Sequence, residues 1–141
     1  LTGGDVEAGK RIFFEREEVA CLRCHKIQGN GGEVGPVLDG LASRQERDYI
    51  LESIIYPNNS IAEGYESVLI ETKDDNYFAG LIKEESEEKI VLNSPEDGII
   101  TIDADNINSR EKGLSGMPEG LYLMLSKREI RDLIAYLGSL K

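Results

Sequence analysis

Apolar side chains recur at helical spacing near both ends of the chain. A first helix is predicted after Asp5, because aspartate caps helix N-termini, and it runs toward Glu18. Its apolar side consists of Val6, Ile12 and Phe13. Gly9 lies inside this helix, where glycine costs about 1 kcal/mol relative to alanine. We interpret it either as a point of close backbone approach or as a tolerated surface glycine.

Two further helices are predicted by capping boxes, in which a serine and a glutamate three positions apart bind each other's backbone N–H groups. Ser43 and Glu46 start a helix over residues 44–56. Ser126 and Glu129 start another helix, whose apolar side consists of Ile130, Leu133, Ile134 and Leu137.

The middle of the chain follows a different pattern. Four short runs rich in β-branched and aromatic residues, YESVLIET, NYFAGLIK, KIVLN and GIITI, are separated by polar turn sequences. They predict an antiparallel meander of about four strands. We therefore expect a single domain, residues 1–141, of mainly α class. Its helical core, residues 1–64 and 106–141, is interrupted by an antiparallel β-sheet insertion over residues 65–105, so that the whole is α+β.

Charge is distributed unevenly along the 141 residues, whose formal net charge is −11. Residues 63–105 contain thirteen Asp and Glu against Lys73, Lys83 and Lys89, a net of −10. Such a chain repels phosphate backbones and anionic lipids, so nucleic acid and membrane surfaces are poor partners. No apolar run approaches the about 20 residues that cross a bilayer, and we expect no membrane insertion. The start, LTGGD, is interpreted as that of a mature or excised segment.

Both cysteines and the only histidine lie in five consecutive residues, CLRCH, at positions 21–25. A zinc site needs more protein ligands, and no second cluster completes one. A thioredoxin-type pair normally follows a strand, whereas a helix is predicted before Cys21. Two thiols three positions apart reach the two vinyl groups of one porphyrin, and the adjacent histidine then lies under the iron. The string favours covalent haem, linked through Cys21 and Cys24 with His25 as an axial ligand, over a thiol redox pair.

Two residues, Met117 and Met124, carry a thioether sulfur soft enough to be the second axial ligand of the haem iron. Met117 precedes a proline in SGMPEG, which holds it in an extended, stiffened loop. Met124 lies in the apolar run LYLML, where a gap-filling core role is expected. We favour Met117 as the ligand; a buried methionine with no metal role is the alternative for either residue.

Together these segments resemble a class I c-type cytochrome. The resemblance extends over residues 4–64 and 107–141 and is carried by GDVEAGKRIFF, CLRCH, GPVLDGLASR, SGMPEG and IRDLIAYLGSL. The middle part, with GYESVLIETKDDNYFAGLI, is similar to the haem-binding domain family at the C-terminus of large planctomycete and verrucomicrobial proteins. In that family a strand-rich insertion precedes an SxMPEGL segment, and here Gly116 occupies the variable position.

The resemblance implies a cytochrome c haem-binding helical fold and gives roles to further residues. Pro36 would pack against the haem and place its carbonyl to accept the N–H of His25, since ligating histidines bind an acceptor through their second nitrogen. A loop-stiffening proline is the alternative. The helix that contains Gly9 would cross the last helix near Tyr136. Arg44 is interpreted as an exposed arginine at a helix start, with a haem propionate as an alternative partner.

These features predict a monohaem cytochrome domain that carries single electrons and is not an enzyme. The resemblance implies a redox partner protein, or an upstream dehydrogenase domain in a longer polypeptide. Covalent haem attachment points to the bacterial periplasm or another extracytoplasmic space. With a labile methionine, the same fold would be a haem-based ligand sensor or a weak peroxidase. The remaining alternative is an interaction module that uses the strand edges of the acidic insertion.

Overall fold

The computed structural model of the chain describes residues 2–62, 64–94 and 97–141. Two compact units make up the fold: a helical unit, Leu1–Ser60 with Met117–Lys141, and a sheet unit, Ile61–Gly116. Each helix in the described ranges is too short or too polar to cross a membrane.

The described part of the helical unit contains four α-helices: α1 (Val6–Glu15), α2 (Cys21–Cys24), α3 (Arg47–Ile55) and α4 (Lys127–Leu137). It also contains two 3₁₀ turns, Leu41–Ser43 and Leu121–Met124, and a hairpin of β1 (Lys26–Ile27) and β2 (Asn30–Gly31). The hairpin turn, Gln28 and Gly29, has φ angles of 50° and 80°. Both angles are left-handed, as the tightest hairpin turns require.

α1 begins at its predicted cap and packs closely against α4. The Asp5 carboxylate accepts a hydrogen bond from the Ala8 N–H at 3.0 Å, and the Asp5 N–H binds the buried Asp132 carboxylate at 2.8 Å. A Cβ atom at Gly9 would lie 2.0 Å from the Asp132 carbonyl oxygen and 2.8 Å from the Tyr136 Cβ. Glycine is required here because any side chain would push the two helices apart. Close backbone approach is therefore the correct interpretation of Gly9.

The end of α1 differs from the prediction. Arg16 adopts an extended backbone conformation, so the helix ends at Glu15 rather than near Glu18. The Arg16 guanidinium instead donates a hydrogen bond to the Glu129 carboxylate at 2.8 Å, which holds the pKa of that carboxyl below its ordinary value. Glu129 also forms the predicted capping box with Ser126 at the start of α4, which is confirmed. One carboxylate thus joins the end of α1 to the start of α4.

α3 is shorter than the helix predicted over residues 44–56, and its predicted capping box is wrong. The helix begins at Arg47, and Glu46 occupies the N-cap position without a side-chain cap bond. Ser43 belongs to the preceding 3₁₀ turn, Leu41–Ser43. Ser43 therefore lies three residues before the N-cap position of α3, and its side chain does not cap the helix.

The sheet unit contains one antiparallel sheet, and its described residues form five strands: β3 (Ser67–Thr72), β4 (Tyr77–Glu85), β5 (Lys89–Ser94), β6 (Gly98–Asp103) and β7 (Ile107–Lys112). The strand order is β6-β5-β4-β3-β7. β3 to β6 form the predicted antiparallel meander, and each of them coincides with one of the four runs that the sequence predicted as strands. They have an apolar core of their own, in which the buried side chains are Val68, Ile70, Ile90, Leu92 and Ile102.

β7 lies beyond the insertion predicted over residues 65–105. It pairs with β3, so that Leu69 is opposite Glu111 and Val68 is opposite Lys112. Its sequence, INSREK, is exposed apart from the half-buried Ile107. A polar edge strand has no alternating apolar face, which is why the hydrophobic pattern did not indicate it.

Candidate functional site

The CLRCH string forms a single helical turn, α2. Ala20 precedes it with a φ of 48°, in the left-handed region, so the chain turns sharply into the motif. Cys21 and Cys24 are three positions apart on this turn, where side chains share one face. The His25 N–H binds the Cys21 carbonyl oxygen at 3.0 Å, and His25 leaves the turn in an extended conformation. The fold thus presents two thiols on one face, followed at once by the imidazole.

The two cysteines form no disulfide. Cys21 packs against the apolar core of the helical unit, and burial raises the pKa of its thiol to about 11. A thiol redox pair depends on a lowered thiol pKa, which makes the thiolate available at neutral pH. The surroundings of Cys21 therefore do not favour the redox alternative.

His25 is held by the carbonyl group of Pro36. Its Nδ1 atom lies 2.8 Å from the Pro36 oxygen. A carbonyl oxygen only accepts hydrogen bonds, so Nδ1 must carry the proton and Nε2 must keep its lone pair. Burial lowers the pKa of His25, although the bond to Pro36 opposes that shift. Both observations describe a neutral imidazole with Nε2 available to bind a metal.

Two glycines allow the following loop to wrap around the motif. A Cβ atom at Gly35 would lie 2.8 Å from the His25 Cε1, and one at Gly32 would lie 1.8 Å from the Arg23 carbonyl oxygen. The Gly35 N–H also binds the Cys24 carbonyl oxygen at 2.8 Å. The sequence alone did not single out these two positions. The available signal was the density of glycine directly after the histidine.

Arg44 fastens the loop segment that carries Pro36. Its guanidinium donates hydrogen bonds to the carbonyl oxygens of Asp39 at 2.7 Å and Val37 at 3.2 Å. The Asp39 carboxylate in turn accepts the Gln28 N–H at 2.9 Å. The sequence interpretation of Arg44 as an exposed arginine at a helix start missed this role. The side chain is exposed, yet α3 begins three residues later and the guanidinium is used by the loop.

The two methionines lie in different surroundings. Met117 is half-buried and packs against the apolar core of the helical unit, as Cys21 does. Met124 ends the 3₁₀ turn Leu121–Met124, and its side chain is 51% exposed. The expected core role of Met124 is therefore wrong, because Leu125 supplies the buried side chain at this point of the turn.

The donor set fits a covalently held haem. Cys21 and Cys24 offer two sulfur atoms from one helical turn, and His25 Nε2 offers a lone pair. A porphyrin also requires apolar surroundings. Half-buried apolar side chains of the helical unit that pack against its core include Leu22, Leu51, Leu121 and Tyr122. A site with these donors is typical of proteins that bind haem through thioether bonds.

The comparison with known families gives the same result. The family model described as Cytochrome c matches residues 6–88, which is more than half of the chain. The chain belongs to the cytochrome c family. Its cofactor is covalently attached haem c, and Cys21 and Cys24 are its only cysteines. The family performs electron transfer, and its domains are typically extracytoplasmic in bacteria.

Proposed function

We propose that the chain is a monohaem electron carrier, with haem linked to Cys21 and Cys24 and with iron bound by His25 and Met117. The observation that carries this proposal is the 2.8 Å hydrogen bond between His25 Nδ1 and the Pro36 oxygen. It fixes the tautomer and leaves Nε2 as the ligand atom. The half-buried position of Met117 supports the choice of the sixth ligand.

Each of these residues has its own task. When bound, haem supplies a one-electron iron(III)/iron(II) couple. The Pro36 carbonyl holds the His25 ring in one orientation and increases its basicity. The soft thioether of Met117 favours iron(II) and occupies the position at which oxygen or a substrate would bind. With His25 and Met117 holding the iron, no ligand position would be left for oxygen or a substrate and only the redox change would remain, so the chain would be a carrier rather than an enzyme.

The finer family assignment is also a proposal, namely the planctomycete and verrucomicrobial type of C-terminal haem-binding domain. The strand-rich segment before SGMPEG supports it. On this proposal the chain is one domain of mainly α class, in which the insertion over residues 65–105 interrupts a cytochrome c helical core. It would receive electrons from an upstream dehydrogenase domain or a separate redox protein, in the periplasm or another extracytoplasmic space.

The carrier proposal is tested by adding carbon monoxide to the ferrous protein. We expect slow binding, because the Met117 sulfur must leave the iron first. The ferric protein should show the near-infrared charge-transfer band between sulfur and iron. Fast, stoichiometric carbon monoxide binding by a protein without that band would contradict the carrier and support a ligand sensor or weak peroxidase.

We also propose that the redox partner is basic, because the acidic residues are concentrated in the sheet unit. One acidic cleft there is lined by Glu87, Glu88, Asp103, Asp105 and Asn106. The rate of oxidation by a cationic cobalt(III) phenanthroline complex, a stand-in for such a partner, should fall as salt rises. Exposed charges are screened beyond about 8 Å at physiological ionic strength.

Two triple variants with the same change in net charge test which part of the chain causes this salt dependence. Neutralising Glu87, Glu88 and Asp105 should remove more of the salt dependence than neutralising Glu7, Glu15 and Glu17, which are exposed in the helical unit. An equal effect of the two variants would show that only the net charge matters, and the acidic insertion would then have no docking role.

A further inference from the structure

An open cleft lies in the helical unit at the end of α3. Tyr56, Asn58 and Asn59 line it directly after that helix. Glu119 and Tyr122 line it from the part of the chain that precedes α4. Its volume is about 480 Å³, which is ample for one long side chain. The described lining contains none of the residues proposed to hold haem, so the cleft is a separate feature of the same unit.

Two tyrosines supply aromatic surface to this cleft. Tyr56 is 61% exposed, and Tyr122 is half-buried because it packs against the apolar core of the helical unit. The electron-rich face of a tyrosine ring attracts the cationic end of an arginine or lysine side chain. The cleft therefore offers surface of the kind that binds organic cations.

Carboxylates add negative charge to the same place. Glu119 accepts a hydrogen bond from the Asn58 side chain at 2.7 Å, and Glu52 accepts one from the Asn59 side chain at 3.2 Å. Both donors are neutral amides, and no lysine or arginine in the described ranges forms an ion pair with either carboxylate. A carboxylate accepts about four hydrogen bonds, so both groups keep capacity for a cationic donor.

We propose that this cleft receives an arginine side chain of the redox partner. The inference rests on the proposed function, in which the chain exchanges electrons with a basic protein. Arginine fits better than lysine because its planar guanidinium stacks on aromatic rings and presents five N–H donors to carboxylate and amide oxygens. A single exposed contact of this kind is weak, which suits a carrier that must release its partner after each electron.

The experiment titrates the ferrous holoprotein with a capped glycine-arginine-glycine tripeptide. A second tripeptide has citrulline in place of arginine, which keeps the shape of the side chain and removes its charge. The arginine peptide should shift the NMR signals of the Tyr56 and Tyr122 rings, and the citrulline peptide should leave them unchanged. Tyr56→Leu should weaken binding about twofold to fivefold, the size of an exposed cation–π contact. Glu119→Gln, which keeps an oxygen acceptor for Asn58, should also weaken binding.

Tyr77→Leu is the matched control. Tyr77 is 65% exposed, and its hydroxyl donates a hydrogen bond to the Glu71 carboxylate at 3.2 Å, so it is also a tyrosine beside a carboxylate, but it lies outside the cleft. This variant should bind the arginine peptide as the unmodified protein does. An equal loss in Tyr77→Leu, or equal binding of the citrulline peptide, would overturn the inference, because attraction to the acidic chain as a whole would then explain the binding.

Failure of this inference can be told apart from failure of the proposed function. A protein that shows the near-infrared charge-transfer band and a salt-dependent oxidation rate, but no shift of the tyrosine signals, would overturn this inference alone. An oxidation rate that is independent of salt would contradict the basic partner, and this inference with it, even if the peptide binds.

Discussion

Met117→Ala is expected to convert a closed haem site into an open one. A thioether stabilises iron(II) relative to iron(III), so its loss should lower the reduction potential, within the roughly 0.8 V range that axial ligands control. The near-infrared charge-transfer band should vanish from the ferric protein. Carbon monoxide and cyanide should then bind without the delay that departure of the sulfur imposes.

Met124→Leu is the control for this prediction. The substitution nearly conserves volume, and the side chain that it replaces is 51% exposed, so all three properties should stay as they are. A band that survives Met117→Ala would show that another atom binds the iron. The carrier assignment would then give way to the ligand sensor.

Replacing both Cys21 and Cys24 by alanine should abolish covalent haem attachment. The half-buried apolar side chains of the helical unit would then lack the porphyrin as an apolar packing partner. We expect the helical unit to lose roughly 3 to 5 kcal/mol of stability, or to remain unfolded. Extraction of the denatured protein with acidified acetone is the measurement: haem stays on the unmodified chain and is absent from the double variant.

The single variant Cys21→Ala is the matched control. It keeps one thioether, so haem should remain on the chain through Cys24 after the same extraction. Release of all haem from the unmodified protein, or one zinc ion per chain in its place, would contradict the covalent assignment.

The N-termini of the helices show how well local sequence predicts where a helix begins. Ser126 and Glu129 form the predicted capping box because both partners lie within one turn, and Glu129 keeps its capping bond while its other carboxylate oxygen binds Arg16. Ser43 and Glu46 have the same spacing, yet Ser43 is part of the 3₁₀ turn Leu41–Ser43 and α3 begins without a capping box. A capping motif therefore predicts a helix well and its first residue less well, since the preceding backbone decides which groups are available.

The same limit applies to the candidate site. CLRCH could be interpreted from sequence because its donors are adjacent and their chemistry depends on spacing alone. The contact between Gly35 and the His25 ring depends on how a loop folds back, and the bond from Asn58 to Glu119 joins residues 61 positions apart. Neither leaves a periodic pattern, so both required the three-dimensional structure.

The close crossing of α1 and α4 has a consequence for biosynthesis. The Asp5 N–H binds the Asp132 carboxylate across 127 positions, so α1 leaves the ribosome long before its partner helix exists. At 5 to 20 residues per second the wait is roughly 6 to 25 s. During that interval the apolar side of α1 has nothing to pack on, while CLRCH has already been made. Until α4 has been made, the apolar core against which Cys21 packs in the finished fold therefore stays incomplete.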